Sequence, residues 1–240
     1  MDLKGRLKTI AEQIPQCSIL ADIGTDHGYI PIYAVKNNLC KKALAADLRS
    51  GPLKMASANI SKYGLKNSIE TRLGDGLEPI KLNECDTIII AGMGGVLIRD
   101  ILSASLEKAQ AAETLLLQPN NAVEALRKWL YESGFDIKNE IIAFDAGKLY
   151  CIIKARWTGK PCVKDEFTYY IGEKIFEGNQ PYLRKYLKKK LKELEVIIKG
   201  RALSATAKKR ESANGSGLDT KDCIFIRDRI IEYLQRSDNL

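Results

Sequence analysis

The chain has 240 residues, 45% of them apolar, and a formal net charge of +8. That size suits one α/β domain with a smaller accessory unit, and no apolar run nears the ~20 residues that cross a bilayer. The charge is uneven: residues 1–154 carry +1 and residues 155–240 carry +7. An excess of that kind points to a polyanionic partner for the last third, with a solvated helical face as the plain alternative.

The predicted elements alternate from the start. Met1–Ile14 is an amphipathic helix with Leu3, Leu7, Ile10 and Ile14 on one side, and it lacks the apolar core of a signal peptide. Ser18–Ile23 is a strand, Tyr29–Asn38 a helix, Lys42–Asp47 a strand. Pro52–Tyr63 is a helix with proline at its start, where a missing N–H costs nothing. Ser68–Leu73 is a third strand. Cys85–Ala91 is apolar throughout and belongs at the sheet centre. Helices Val96–Leu106 and Asn120–Ser133 flank a fifth strand, Thr114–Gln118. Phe135–Asp145 and Lys148–Trp157 form an antiparallel pair around a turn at Ala146–Gly147. The fold class is therefore α/β, a Rossmann-like parallel sheet with an antiparallel last strand, the class I methyltransferase pattern.

Beyond it, Phe167–Phe176 is a short helical stretch broken at Gly178–Pro181. Tyr182–Lys209 is a lysine-rich helix whose Leu187, Leu191, Leu194, Ile198 and Ala205 follow a heptad seam, with Arg201 its one polar member. A turn at Ser212–Gly217 and a helix at Lys221–Gln235 complete an α-helical hairpin or coiled coil. The expected domains are residues 1–157 and 158–240.

The six cysteines have no C-x-x-C spacing, and a single histidine argues against zinc, so no metal is expected. Scattered thiols suit the cores of a cytoplasmic protein.

Chemistry concentrates at strand ends. Asp22-Ile-Gly-Thr-Asp-His-Gly-Tyr follows the first strand, where glycines let a ligand approach the backbone. It is not G-x-G-x-x-G, because Asp26 stands two after Gly24. Two carboxylates, Asp22 and Asp26, would repel a pyrophosphate. They would tolerate a cationic, phosphate-free ligand such as S-adenosylmethionine; a capped turn is the other reading. Asp47, followed by Leu48, ends the second strand where an acid binds ribose hydroxyls in such folds, with a helix N-cap as the other reading. Gly74-Asp75-Gly76 ends the third, where an acid could accept from an adenine amine, or form a turn. Ala91-Gly92-Met93-Gly94-Gly95 leaves room for a planar group against the backbone, or makes a tight turn before the helix from Val96. Gln118-Pro119-Asn120 offers amides at the same edge, although Asn120 also suits a helix N-cap.

These stretches together resemble the bacterial tRNA (adenine-22-N1)-methyltransferases of the TrmK family, over essentially the whole chain. The pairing of Gly24-Thr-Asp-His-Gly-Tyr29 with Ala91-Gly-Met-Gly-Gly95 is the most specific part, with Leu117-Gln-Pro-Asn in support. The resemblance implies methyl transfer from S-adenosylmethionine to N1 of an adenine in the D-arm region of tRNA. It implies a cofactor site from Asp22, Gly24, Gly28, Asp47, Leu48, Gly74, Asp75, Gly76, Ala91, Gly92 and Met93. Asp26, His27 and Tyr29 become candidates for work on the base or on the cofactor, His27 on the base or the cofactor carboxylate, and Gly94, Gly95, Gln118, Pro119 and Asn120 for contact with the base. Lys185, Lys188, Lys189, Lys190, Lys192, Lys208, Lys209 and Arg210 are candidates for phosphate contacts. The expected particle is a monomer, with dimerisation left open. A methyltransferase of another acceptor, a non-catalytic RNA-binding module and a nicotinamide-dependent oxidoreductase are the competing readings.

Overall fold

Seven strands join in one sheet, in the order β3 (Ile69–Leu73), β2 (Cys40–Asp47), β1 (Cys17–Ile23), β4 (Thr87–Met93), β5 (Thr114–Pro119), β7 (Lys148–Trp157) and β6 (Phe135–Asp145). The computed structural model describes residues 2–178, 180–206 and 218–236, with backbone alone for 204–206. Its first unit runs α1 (Gly5–Glu12), β1 (Cys17–Ile23), α2 (Tyr29–Lys36), β2 (Cys40–Asp47), α3 (Ser50–Lys62), β3 (Ile69–Leu73) and β4 (Thr87–Met93). It continues with α4 (Gly95–Ala104), α5 (Leu106–Ala111), β5 (Thr114–Pro119), α6 (Val123–Glu132), β6 (Phe135–Asp145) and β7 (Lys148–Trp157). β1 pairs in parallel with β2 and β4. β7 enters antiparallel between β5 and β6. The reversal is made by Ala146 and Gly147, both at positive φ, the geometry a two-residue hairpin needs.

The apolar runs of β4 and β5 are explained by burial on both sides. Ile88, Ile89, Ile90, Leu115 and Leu117 are fully inaccessible, as parallel strands covered by helices require. On one side Leu3, which precedes α1, and Ile10 and Ala11 within it form a common core with Ile30 and Ile32 of α2 and Ala56 and Ile60 of α3. Helices α4, α5 and α6 pack against β4 to β7. Since the sheet is parallel through β5, the carboxyl ends of β1, β2, β3, β4 and β5 share one edge, and the switch in strand order falls between β1 and β4.

Three expectations change. The predicted helix Val96–Leu106 is two helices, broken at Ser105 with φ −131 and ψ 46. The predicted helix from Asn120 begins at Val123; its N-cap is Ala122 at φ 47, and no side chain caps it. The first unit extends to Val163 rather than 157. Thr158 N–H donates to Gly134 O at 2.9 Å and Cys162 N–H to Tyr131 O at 3.0 Å, which ties residues beyond Trp157 to the α6–β6 turn.

The second unit is Lys164–Leu240. In it α7 (Glu166–Ile171) is capped by Asp165, which accepts from Thr168 N–H at 2.7 Å. A 3-10 turn (Lys174–Phe176), α8 (Leu183–Thr206) and α9 (Thr220–Arg236) follow. α8 and α9 run antiparallel: Arg201 near the end of α8 donates to Leu218 O at 2.6 Å, beside the start of α9. That bond accounts for the one polar seam position. Leu187 and Leu194 are buried, as are Cys223, Ile226 and Ile230 from α9; Leu191 and Ile198 are half-buried. The Ala205 side chain and the Ser212–Gly217 turn lie outside the described residues.

Candidate active site at the carboxyl edge of the sheet

β1 delivers Asp22 into the crevice. The carboxylate is 7% exposed, and among the described residues no cation pairs with it. Burial pushes its pKa up to about 6; the Thr25 hydroxyl offsets part of this, and the Asp47 carboxylate adds to the rise. Thr25 Oγ1 is itself buried and makes no geometrically complete hydrogen bond. A buried acid whose one side-chain neighbour is a buried hydroxyl is costly unless a ligand completes the pair.

Gly24 follows at φ +76, and a side chain there would run into the Met93 thioether. Two loops, after β1 and after β4, therefore approach each other over a bare backbone. The Gly24 and Thr25 N–H groups do not face a ligand. Both donate to Ala46 O, at 2.8 and 3.0 Å, so the loop's glycine supplies clearance rather than amide donors.

Asp26, His27 and Tyr29 stand together beyond this turn. Asp26 does not cap α2: the N-cap is Gly28 in the left-handed region, with no side-chain bond. Asp26 is instead exposed, with Oδ2 3.3 Å from His27 Nε2. The His27 and Tyr29 rings stack at 5.1 Å with a 17° interplanar angle. Asn59 Nδ2 holds the loop by donating to His27 O at 3.0 Å.

β2 delivers Asp47, 6% exposed. Its Oδ1 accepts from Arg49 N–H at 2.8 Å, which fixes the carboxylate across the turn into α3. Leu48 beside it is exposed. Asp47 O accepts from Gly74 N–H at 3.1 Å, so the ends of β2 and β3 are tied. Asp75 is exposed between Gly74 and Gly76, and its backbone carbonyl closes the turn by accepting from Glu78 N–H at 2.9 Å.

The β4 and β5 ends form one polar lattice. Gln118 is fully buried. Its Oε1 accepts from Gly92 N–H at 3.1 Å and from Arg6 Nη1. Its Nε2 donates to Asn120 Oδ1 at 3.1 Å, and Asn120 Nδ2 donates to Gly92 O at 2.7 Å. The Asn120 side chain thus braces the Ala91–Gly95 loop instead of capping a helix. Pro119 is buried in β5 beside Met93. Gly95 is buried too, and a Cβ there would collide with the Asn121 and Ala122 carbonyls. For these two, packing explains the residue choice, whereas Ala91, Gly92, Met93 and Gly94 retain exposure. Arg6 was not foreseen, because nothing local in α1 links it to a loop 86 residues further along.

The lysine candidates divide as well. Lys190 is nearly buried, 3.1 Å from Glu193 and 4.3 Å from the Tyr170 ring centre. Lys189 also pairs with Glu193, at 3.7 Å. Lys185, Lys188 and Lys192 are exposed. Lys208, Lys209 and Arg210 lie outside the described residues. No cluster that could hold a metal occurs among the described residues, and none of their helices is long and apolar enough to cross a membrane.

Acids at three consecutive strand ends, an unpaired buried carboxylate and a close-approach glycine suit a ligand with ammonium, ribose and adenine groups. S-adenosylmethionine has all three. Strand order, the antiparallel β7 and this donor set define a Rossmann-like methyltransferase, and residues 3–153 match the family model described as a methyltransferase domain. A Bacillus subtilis (strain 168) protein, tRNA (adenine(22)-N(1))-methyltransferase, is 39% identical over 200 residues, covering 81% of this chain and 82% of that one. The chain belongs to that family. The structure of the B. subtilis m1A22 tRNA methyltransferase TrmK superposes with a TM-score of 0.76 at 30% identity, covering 98% of this chain and 96% of that one. M. capricolum TrmK, solved with S-adenosyl-homocysteine, gives a TM-score of 0.75 at 28% identity, covering 97% of this chain and 98% of that one.

Proposed function

We propose that the chain methylates N1 of adenine 22 in tRNA, with S-adenosylmethionine as donor, in the cytoplasm. The observation that carries this reading is Asp26: an exposed carboxylate on the cofactor loop, next to a stacked His27–Tyr29 pair. In the proposed site Asp22 and Thr25 take the cofactor's ammonium, Asp47 its ribose hydroxyls and Asp75 its adenine amine. The bound cofactor supplies an electrophilic methyl on a sulfonium and leaves as a thioether.

Adenine N1 already presents an in-plane lone pair, so the protein does not need a strong base to make the nucleophile. Its work is alignment of N1 with the methyl and sulfur. His27 and Tyr29 offer a flat surface against which an extruded base can rest, and extrusion itself costs about a few kcal/mol. Methylation leaves the ring cationic. Asp26 stabilises that charge and accepts from the exocyclic amine. Gly94 and Asn120 border the same space from the β4 and β5 ends. Lys185, Lys188, Lys189 and Lys192 on α8, with Lys208, Lys209 and Arg210 beyond it, hold phosphates without reading sequence.

The test is methyl transfer from labelled S-adenosylmethionine to unmodified tRNA transcripts, with nucleoside analysis. Expected is 1-methyladenosine at one position, reduced about 10²- to 10³-fold by Asp26→Ala while cofactor affinity holds. Transfer to a different nucleoside, or Asp26→Ala at full rate, overturns the reading.

A further inference from the structure

Two of the six cysteines face each other at the edge of the sheet opposite the crevice. Cys17 opens β1 and Cys40 opens β2, and the two are direct partners in the parallel pairing. Cys17 N–H donates to Leu39 O at 2.9 Å, so a backbone bond holds the register at that rung. In-register residues of parallel strands project to the same side of a sheet. Cys40 belongs to the core shared with α1, α2 and α3, and Cys17 packs against that core. Neighbouring strands lie about 4.8 Å apart, inside the Cα separation of about 4.4–6.8 Å that a disulfide spans. Each residue is the first of its strand, so the small approach that a bond between the sulfurs requires disturbs the ladder on one side only.

The pair is asymmetric. Cys40 is 5% exposed, whereas Cys17 is half-buried. Hydrogen bonding with Cys40 holds the Cys17 pKa below its ordinary value, against burial and the Asp86 and Glu113 carboxylates, and Thr87 adds to the lowering. The same contact, together with burial, pushes the Cys40 thiol up. One sulfur is therefore a reachable nucleophile and the other a shielded thiol beside it, the arrangement of an attacking and a resolving cysteine. The remaining thiols are placed differently. Cys151 and Cys223 are buried beside guanidiniums, 3.3 Å from Arg127 and 3.7 Å from Arg201. Cys85 is buried near Cys17, and burial pushes its pKa up to about 12, so it stays protonated. Cys162 is exposed on the stretch after β7.

We propose that Cys17 and Cys40 are a redox-active pair that a peroxide converts into a disulfide. The Cys17 thiolate attacks one peroxide oxygen; the O–O bond breaks, and the other oxygen leaves and takes up a proton as water. The Cys40 thiol then attacks the sulfur of the resulting sulfenic acid. The S–S bond forms, the S–O bond breaks, and a second water departs with the thiol's proton. Two thiols have lost two electrons and the peroxide has gained them, and a dithiol reductant reverses the change by exchange. The bond closes residues 17–40 into a ring that holds α2 and the Asp22–Tyr29 loop. It clamps that unit at the ends farthest from the crevice, and its chemistry does not depend on the cofactor reading.

The experiment uses the full chain carrying Cys162→Ser, which removes the exposed thiol and with it cross-links between molecules. Five thiols remain of the six. After treatment with hydrogen peroxide, thiol titration should find two fewer, and non-reducing peptide mapping should place the missing pair in one Cys17–Cys40 link that dithiothreitol reverses. Adding Cys40→Ser should leave Cys17 as a sulfenic acid trapped by dimedone, an adduct scarce in the parent. Both tryptophans, Trp129 and Trp157, lie in the first unit, so their fluorescence follows its unfolding. Oxidation should raise that melting temperature by roughly 5–10 °C. A link that maps to Cys85, Cys151 or Cys223, or one that forms only in urea, overturns the proposal. So does a lower melting temperature on oxidation, which would mean that the strands are forced out of register to make the bond. The map of the parent protein decides the matter alone should the serine variant fail to fold.

Discussion

Glu140 and Asp22 are both buried carboxylates of the first unit, and the molecule treats them in opposite ways. Glu140 sits in the closing hairpin, fully inaccessible, with Arg127 Nε at 2.6 Å and the Cys151 thiol against the same guanidinium at 3.3 Å. Asp22 sits at the crevice with no cation paired to it among the described residues, and burial lifts its pKa to about 6. Satisfied charge marks a place built for one structure; unsatisfied charge marks a place left for a ligand.

Breaking the satisfied pair should give the largest effect. Arg127→Met leaves Glu140 buried and unpaired, a loss of about 3–5 kcal/mol. Replacing both partners with apolar residues of similar size should recover most of that loss. Denaturant unfolding of the three proteins checks it, and a double variant as unstable as the single would mean that the pair contributes more than mutual neutralisation.

Asp22 should respond in the opposite sense. Its folded pKa of about 6 lies above the ordinary 3.8. The protonated form therefore favours folding in full below about pH 4, and that advantage is lost as pH rises through 6. At pH 7 the ionised group costs the empty protein about 3 kcal/mol. Asp22→Asn should melt higher than wild type at pH 8 and lose that advantage by pH 4. It should also bind the cofactor more weakly. In wild type, cofactor affinity should fall about tenfold per pH unit below 6 as Asp22 protonates, and Asp22→Asn should abolish that slope. A slope that survives the substitution would remove Asp22 from the ammonium site.

What the sequence made legible follows the same division. Asp22, Asp47 and Asp75 were placed correctly at strand ends because strand length and turn residues are local signals. Arg6 was not legible, because its partner Gln118 is 112 residues away and only the assembled sheet brings Arg6 to the end of β5. Gln118 and Asn120 were picked out by position, but their bracing of Gly92 depends on the bulge in β4–β5 pairing between Ala91 and Met93. Gly95 and Pro119 look from sequence like open loop residues, yet both are buried, Gly95 as the first residue of α4 and Pro119 as the last of β5. Chain order carries no record of which side chains a packed neighbour consumes. Ser105 shows the limit for helices: apolar periodicity runs through it, and the backbone breaks there regardless.

The lysines of α8 repeat the comparison at the protein surface, with smaller energies. Lys190 is committed to Glu193 and the Tyr170 ring, while Lys188 and Lys192 are exposed and make no ion pair among the described residues. Sequence alone gave the three equal standing. If the uncommitted pair contacts phosphate, Lys188→Gln with Lys192→Gln should weaken tRNA binding by about tenfold near physiological salt and reduce the slope of log affinity against log salt by about 1 to 2. Lys190→Gln should leave that slope unchanged and lower the melting temperature instead, because it removes an internal cation–π contact worth about 1 kcal/mol. Filter binding across a salt series and thermal unfolding separate the two outcomes. A salt slope that drops for Lys190→Gln but not for the double variant would reverse the assignment, and would put the RNA-facing side of α8 on the face now occupied by Tyr170.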